Sequence, residues 1–521
     1  MDSGSPDLNS KKVKMKIIKI GNSYHINSKK SLKNYGFHLS PLETWETNRY
    51  ETLIKVKSLV SNPEVIENFQ NELKQTILKS KSRNSKFEVP APLGLEYYPF
   101  QKAGIEFICE RPRVLLADEM GLGKSIEIIG AMNILNPLRT LIICPAGLRF
   151  NWEMELRKWL IRKKSIQILR GKKPLADINI ISYAMAAKYP LQKVKWSLLV
   201  CDESHFLKSP RAKRTRAVVS INAKKIVCAT GTPVLNRPIE LHSTLSFLDP
   251  TNWPDRFTFA HWYCNAYRDR FGWNFTGASN LSSLRLRLRS SIMIRRTRKE
   301  VLPDLPSETH QIILLRETAG ATILLKQYNN IVLSVTGRRE LQGLSVEELH
   351  HVIRRLDSPS SPLFSEISKI RRELAEKKLK PVIEHLELLL ASGEKVVVFA
   401  HHRLLLLGIK KAFPNSVMII GGMKDSEKHK AVEAFQNGKA KLFVGSIQAA
   451  GVGITLTASH IVAFAESSWT PGEIAQAKDR CVRIGQKNKV LIQYLVTIGS
   501  PDVLVIKRAI EKQRIIQKIV R

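Results

Sequence analysis

The stretch Val114-Leu-Leu-Ala-Asp-Glu-Met-Gly-Leu-Gly-Lys-Ser125 runs from four apolar residues into a glycine-punctuated turn, and Ile126, Ile128, Ile129 and Ala131 continue it as a helix-like run. Strand, glycine turn and helix is the order a phosphate-binding loop requires. Backbone N–H groups of such a turn, and the positive end of the helix after it, face the phosphates. On this reading Gly121 and Gly123 shape the turn, Lys124 reaches the β- and γ-phosphates, and the Ser125 hydroxyl ligates magnesium. The strict pattern has Gly where this chain has Asp118. A Gly-Lys-Ser turn alone also occurs on ordinary surfaces, so the rest of the chain decides.

Residues 94–248 alternate apolar strands with helical segments: Val114–Ala117, Thr140–Cys144, Ile178–Ser182, Leu198–Cys201 and Ile226–Ala229. That rhythm predicts a parallel sheet covered by helices, with the chemistry in loops at the carboxyl ends of the strands. The motifs fall at those ends. Asp202-Glu-Ser-His205 follows the strand Ser197–Cys201. A carboxylate directly after a buried strand can hold magnesium, usually through water, and the next can orient an attacking water. Thr230-Gly-Thr-Pro233 ends the strand at Ile226, with hydroxyls suited to sensing what the carboxylates hold. Gln101, in Tyr98-Pro-Phe-Gln101, lies where its amide can read an adenine edge.

A second alternating block starts at Lys395, with strands Val396–Ala400, Val417–Ile420, Lys441–Gly445, His460–Phe464 and Val490–Val496. It has no phosphate loop but carries Gly451-Val-Gly-Ile-Thr-Leu-Thr457 and Gln476-Ala-Lys-Asp-Arg-Cys-Val-Arg-Ile-Gly-Gln486. On a continuous helix, Gln476, Arg480 and Arg483 share one face. Three long polar side chains aimed across an interface suit a γ-phosphate held by the other block, an arginine finger supplied within the chain.

The flanks are less informative. Residues 1–14 read as a disordered basic tail, 15–60 as a small lysine-rich α+β module, and 61–93 as a linker. The module's lysines suit a nucleic-acid backbone, and its aromatics suit unstacked bases. The first block then extends over 94–305, a helical connector over 306–380, the second block over 381–497 and a bracing helix over 498–521. Residues 249–305, aromatic-rich from Trp253 to Phe275, read as an inserted helical core. Arg295 and Arg296, with Arg298 and Lys299, form a basic patch placed to lie on DNA phosphates.

Composition points the same way. The chain has 521 residues, 43% of them hydrophobic, which exceeds what one core holds. A net charge of +37 calls for a polyanion partner. No apolar run approaches the ~18 residues of a membrane span, so nucleic acid is preferred over a membrane. The six cysteines are scattered without a Cys-x-x-Cys pair, as expected of buried free thiols in a reducing compartment. The N-terminus has no apolar segment of a secretory signal.

Taken together, YPFQ, DEMGLGKS, CPAGLRFNW, DESH, TGTP, VFAHH, GVGITLT and QAKDRCVRIGQ occur in the order and spacing of a known set. Over roughly residues 94–515 the chain resembles the Swi/Snf-type ATPases of the superfamily-two helicases, and within them the annealing-helicase (HARP-type) branch. Residues 201–208, 271–281 and 398–402 carry the branch resemblance, and Asp118 is normal for the family. The resemblance implies an α/β protein of two RecA-like parallel-sheet lobes with helical insertions. It implies a DNA-dependent ATPase that uses ATP and magnesium to move on double-stranded or branched DNA, intracellular, DNA-associated and monomeric, with protein partners unspecified. By position Gln101 then reads adenine, Lys124 and Ser125 hold phosphate and metal, Asp202 and Glu203 activate hydrolysis, and Gln476, Arg480 and Arg483 complete the site. Trp469 matches an aromatic that such motors lean on DNA. Lys478, Val482 and Met423 depart from the usual acidic, His and small hydroxyl residues. A strand-separating helicase, a nucleosome remodeller and a silent DNA-binding scaffold remain the alternatives.

Overall fold

The computed structural model describes residues 64–521 apart from 170–175, 235–236, 254, 270–271, 317, 319, 337–361, 451–453, 469, 503–504, 507–517 and 520–521, and before residue 64 only the strands at 17–20, 23–26, 38–39 and 45–47. Two units emerge, residues 1–81 with 289–291, and residues 82–288 with 292–521.

In the first unit, Ile17–Ile20 pairs antiparallel with Ser23–Ile26, and Trp45–Thr47 and His38–Leu39 extend the sheet to four strands. The sequence pattern indicated the first two strands. The other two are too short to carry a period. The expected tail at 1–14 and residues 48–60 of the small module lie outside the described residues, as does most of the C-terminal segment. Helix Glu64–Ser80 opens on Glu64 and Glu67 and closes on Lys79, the charge order its dipole favours.

The second unit holds two wholly parallel sheets. The first has seven strands in the order Met293–Ile294, Arg113–Leu116, Ala223–Ala229, Trp196–Asp202, Thr140–Cys144, Ile178–Ser182, Ile166–Ile168. The five strands expected from the sequence form its middle. The two edge strands, three and two residues long, leave no readable pattern. Both faces are covered. Leu115, Ile143 and Leu199 point into one core, and Val114, Leu116, Ile142 and Val200 into the other. Burial on both faces is why these strands are continuously apolar rather than alternating.

The second sheet has six strands in the order Glu308–Leu315, Val490–Thr497, Ile461–Phe464, Val396–Ala400, Leu442–Ser446, Val417–Ile419. Val397 and Phe399 face one core, and Val396, Val398 and Ala400 the other. One expectation fails here. Residues 306–315 do not open a helical connector, because Glu308–Leu315 pairs along its whole length with Val490–Thr497. Its polar start, Glu308-Thr-His-Gln311, is tolerated because the strand lies at an edge.

The aromatic-rich piece divides. Trp253, Phe259 and Tyr263 are buried in the first lobe, as expected of a core, whereas Phe257, Trp262, Tyr267 and Trp273 are exposed. All six cysteines are free, five of them buried. Among the described residues no helix is long and apolar enough to cross a membrane.

Candidate active site between two parallel-sheet lobes

The phosphate loop connects strand Arg113–Leu116 to helix Lys124–Leu135. Gly121 and Gly123 both have φ +85°, a left-handed conformation that L side chains resist. Space also requires glycine at 123, where a Cβ would sit 2.5 Å from Gln101 Nε2. Gln101 itself is buried in helix Pro99–Glu110. Its Oε1 accepts from Tyr98 N at 3.0 Å and its Nε2 donates to the Leu122 carbonyl at 3.1 Å, tying that helix to the loop. Lys124 Nζ donates to the carbonyls of Asp118 (2.9 Å) and Glu119 (3.3 Å). Burial lowers its pKa, opposed by the carboxylates of Glu203, Asp118 and Asp202. Ser125 stands in the first turn of the same helix.

Asp118, the departure from the strict loop pattern, is fully buried against Arg296. Its Oδ1 accepts from Arg296 N (2.8 Å) and Arg296 Nε (3.1 Å), and Oδ2 takes a short bond from Arg296 Nη2. The same Nη2 reaches both oxygens of Glu127, at 3.0 and 2.9 Å, and Nη1 donates to the Phe100 carbonyl. Arg296 is 1% exposed, so it is a strut inside the first lobe and not a contact for DNA. Arg295 is also buried, with Nη1 on the carbonyls of Ala117 and Gly231. The basic patch expected at 295–296 therefore does not exist as a surface. The two strand-end carbonyls and two buried carboxylates draw the guanidinium groups inward.

Strand Trp196–Asp202 delivers Asp202, and Glu203 follows at φ 49°, a left-handed residue at the strand-to-loop step. Trp152 Nε1 donates to Asp202 Oδ2 at 2.8 Å, Glu203 N to Oδ1 at 2.9 Å, and the Tyr183 hydroxyl to the Asp202 carbonyl at 2.8 Å. Burial, with Glu203 beside it, raises the pKa of Asp202. Burial pushes Glu203 the same way, but His205, Lys124 and Arg480 outweigh it and hold that carboxyl low. His205 Nδ1 lies 3.2 Å from both Glu203 Oε2 and Thr230 Oγ1, linking the carboxylate to the Thr230–Pro233 loop.

The second lobe closes the site. Gln476 Nε2 donates to Thr232 Oγ1 at 3.1 Å. Helix Pro471–Lys478 ends before Arg480, so the expectation of one continuous helical face is wrong beyond Lys478. Tight turns replace the helix, and the convergence survives through hydrogen bonds. Arg480 Nε donates back to the Gln476 carbonyl (3.1 Å), Arg480 and Arg483 both reach the Ile454 carbonyl (3.5 and 3.2 Å), and Arg483 also bonds Thr455 Oγ1 (3.0 Å). Burial lowers Arg480, opposed by Glu203, and lowers Arg483 to about 10. Arg483 Cβ is 3.1 Å from where a Cβ on Gly121 would stand, so the lobes meet at the loop itself. Gly451–Gly453 and Trp469 lie outside the described residues.

Each departure has a local account. Lys478 bonds Glu308, and the Val482 side chain packs in the second lobe's core. Met423 takes Ile420 N on its sulfur at 3.4 Å while packing against the same lobe. Among the described residues no group of three or more His, Cys, Asp or Glu is placed for a metal. One buried carboxylate, Asp202, and one hydroxyl, Ser125, fit magnesium, which takes few hard protein oxygens and completes its shell with water and phosphate. Sequence reasoning missed Trp152 as the partner of Asp202, although it ends the motif CPAGLRFNW. It placed Arg298 in the surface patch, whereas the structure buries it.

The chain matches the SNF2-related domain over residues 100–342 and the helicase conserved C-terminal domain over residues 377–485. It is 34% identical over 434 residues to the SWI/SNF-related matrix-associated actin-dependent regulator of chromatin subfamily A-like protein 1 of Xenopus tropicalis, covering 80% of this chain and 44% of that protein. It is 33% identical over 446 residues to the DNA annealing helicase and endonuclease ZRANB3 of Homo sapiens, covering 80% of this chain and 40% of that one. The chain thus spans less than half the length of these relatives. A solved structure, the Sulfolobus solfataricus SWI2/SNF2 ATPase core in complex with dsDNA, is 21% identical with a TM-score of 0.40, over 84% of this chain and 99% of that one. With both domains matched in order along the chain, it belongs to the SNF2-related, Swi/Snf-type family.

Proposed function

We propose that this chain is an ATP-dependent double-stranded-DNA translocase that remodels or reanneals branched DNA, working as a monomer. The observation that carries this reading is the convergence on one cleft of Lys124 and Asp202–Glu203 from the first lobe with Gln476, Arg480 and Arg483 from the second. A silent scaffold has no use for that set. The name of the human relative, a DNA annealing helicase and endonuclease, supports DNA as substrate, and the net charge of +37 supports a polyanion.

The mechanism follows from the residues. The amides at Gly121–Lys124 and the helix N-terminus cradle the phosphates, and Lys124 swings from its loop carbonyls onto the β- and γ-phosphates. Ser125 would hold magnesium, with Asp202 acting through water, and the ion would supply neutralising charge and Lewis acidity there. Glu203, held ionised, orients the attacking water and takes its proton. Arg480 and Arg483 engage the γ-phosphate from the second lobe, which draws the lobes together. Phosphate release lets them part, and the Gln476–Thr232 contact registers the difference. Repeated closure moves the second lobe along a DNA backbone. Base sequence is not read, because phosphate contacts carry none of it.

The test is ATP hydrolysis with and without duplex and forked DNA. Stimulation by duplex or fork supports the reading, and stimulation by single strands alone favours a strand-separating helicase.

A further inference from the structure

Arg298 joins three segments: the phosphate loop, the edge strand of the second sheet and the 479–483 segment. It opens the short helix Arg298–Val301 and is 6% exposed. Its N donates to Glu119 Oε2 at 2.7 Å and its Nη2 to Glu119 Oε1 at 3.1 Å. The same Nη2 lies 3.3 Å from Glu308 Oε1, on the edge strand of the second sheet. Its Nη1 lies 2.9 Å from Asp479 Oδ1 and also donates to the Val482 carbonyl. Lys478 completes the cluster, bonding Glu308 and standing 3.8 Å from Asp479 Oδ1.

Each partner has a functional neighbour. Glu119 belongs to the phosphate loop, two residues before Gly121. Asp479 lies between Gln476 and Arg480, and Val482 immediately precedes Arg483. A buried ion pair is weak evidence of stabilisation, because desolvation offsets most of the attraction. What a guanidinium adds is geometry, since its planar fork fixes several acceptors at once in a way an ammonium does not. Here the fork fixes the spacing between the phosphate loop and the segment bearing both arginines.

We propose that Arg298 is a positioning residue for ATP hydrolysis, keying the 479–483 segment to the phosphate loop through Asp479, Val482 and Glu119, with the Lys478–Glu308 bridge holding the second-lobe end. The activity readout rests on the ATPase reading above, whereas the geometry does not.

Two measurements on the full chain separate these. In hydrogen exchange without nucleotide, Arg298→Ala exchanges faster than wild type at the amides of 479–486, with the sheet cores unchanged. In duplex-stimulated hydrolysis, Arg298→Ala loses on the order of 10²-fold in kcat, the scale of a misplaced catalytic group, while binding of fluorescent ADP to the intact phosphate loop persists. Lys478→Glu places a fourth carboxylate in the cluster and lowers kcat. Adding Glu308→Lys restores the bridge and raises kcat above that of either single variant, short of wild type because the introduced ammonium then faces Arg298. Unchanged exchange at 479–486, near-wild-type kcat in Arg298→Ala, or a double variant no better than the worse single one overturns the proposal. If Arg298→Ala does not fold, the partly exposed reversal pair decides. If wild type hydrolyses no ATP on any DNA, the functional reading fails and exchange alone judges Arg298.

Discussion

Asp118 and Arg296 form a buried pair in which one carboxylate oxygen accepts from both the backbone N–H (2.8 Å) and Nε (3.1 Å) of the arginine. The position that breaks the strict phosphate-loop pattern is thus the anchor that fastens the loop's entry to the strand Met293–Ile294 and, through Glu127, to the helix after the loop. Gly104 makes room for it, because a Cβ there would stand 1.8 Å from Glu127 Oε2. Arg296→Ala leaves two carboxylates buried without their cation, which costs about 3–5 kcal/mol. Thermal or urea unfolding followed in the first lobe is the check. A loss below ~1 kcal/mol, the scale of a surface pair, contradicts the account.

Gln476 and Thr232 are coupled across the lobes by a hydrogen bond of 3.1 Å. In a double-mutant cycle of Gln476→Ala and Thr232→Val, read as kcat of DNA-stimulated hydrolysis, the two effects fall short of additivity by about 0.5–1.5 kcal/mol. Full additivity means that the contact does not take part in turnover.

Glu203→Gln keeps the shape of the loop but removes the ionised oxygen that His205, Lys124 and Arg480 favour. Hydrolysis falls on the order of 10³-fold, comparable to loss of a catalytic electrostatic partner, while ATP binding persists. Equal losses in binding and turnover contradict the assigned role.

Glu466, 2% exposed, accepts from His401 N (3.0 Å), His402 N (2.8 Å) and His402 Nδ1 (2.6 Å). Burial pushes its pKa up, but His402 and Arg371 prevail and hold it at about 2. A carboxyl depressed below its unfolded value near 4.5 contributes stability above that pH and loses it as pH falls toward 2. The stability gap between wild type and Glu466→Gln, about 3 kcal/mol at neutral pH, therefore narrows as pH drops below 4.5. Urea unfolding at pH 7, 5 and 4 tests the sign, and a gap that widens toward acid refutes it.

How much of this was legible in the sequence depends on chain distance. Val114–Ser125 and Leu198–Glu203 were readable because strand, turn and chemistry are contiguous, so local pattern and site coincide. Glu308–Leu315 was not, since an edge strand with a polar first half carries neither the continuous apolar run of a central strand nor clean alternation. Arg295 and Arg296 misled for a different reason. Adjacent arginines look like a surface, and only the distant Asp118, Glu127 and strand-end carbonyls turn them inward. Arg480 and Arg483 come together for a reason the sequence did not carry, because the helix stops at Lys478 and the Ile454 carbonyl, not helical periodicity, gathers them.

The central claim is tested most directly by ATP hydrolysis of wild type and Lys124→Ala with no nucleic acid, single-stranded DNA, duplex, forked DNA and RNA. The account predicts strong stimulation by duplex or forked DNA, abolished by the substitution. Hydrolysis stimulated only by single strands or RNA, or none on any of them, contradicts it.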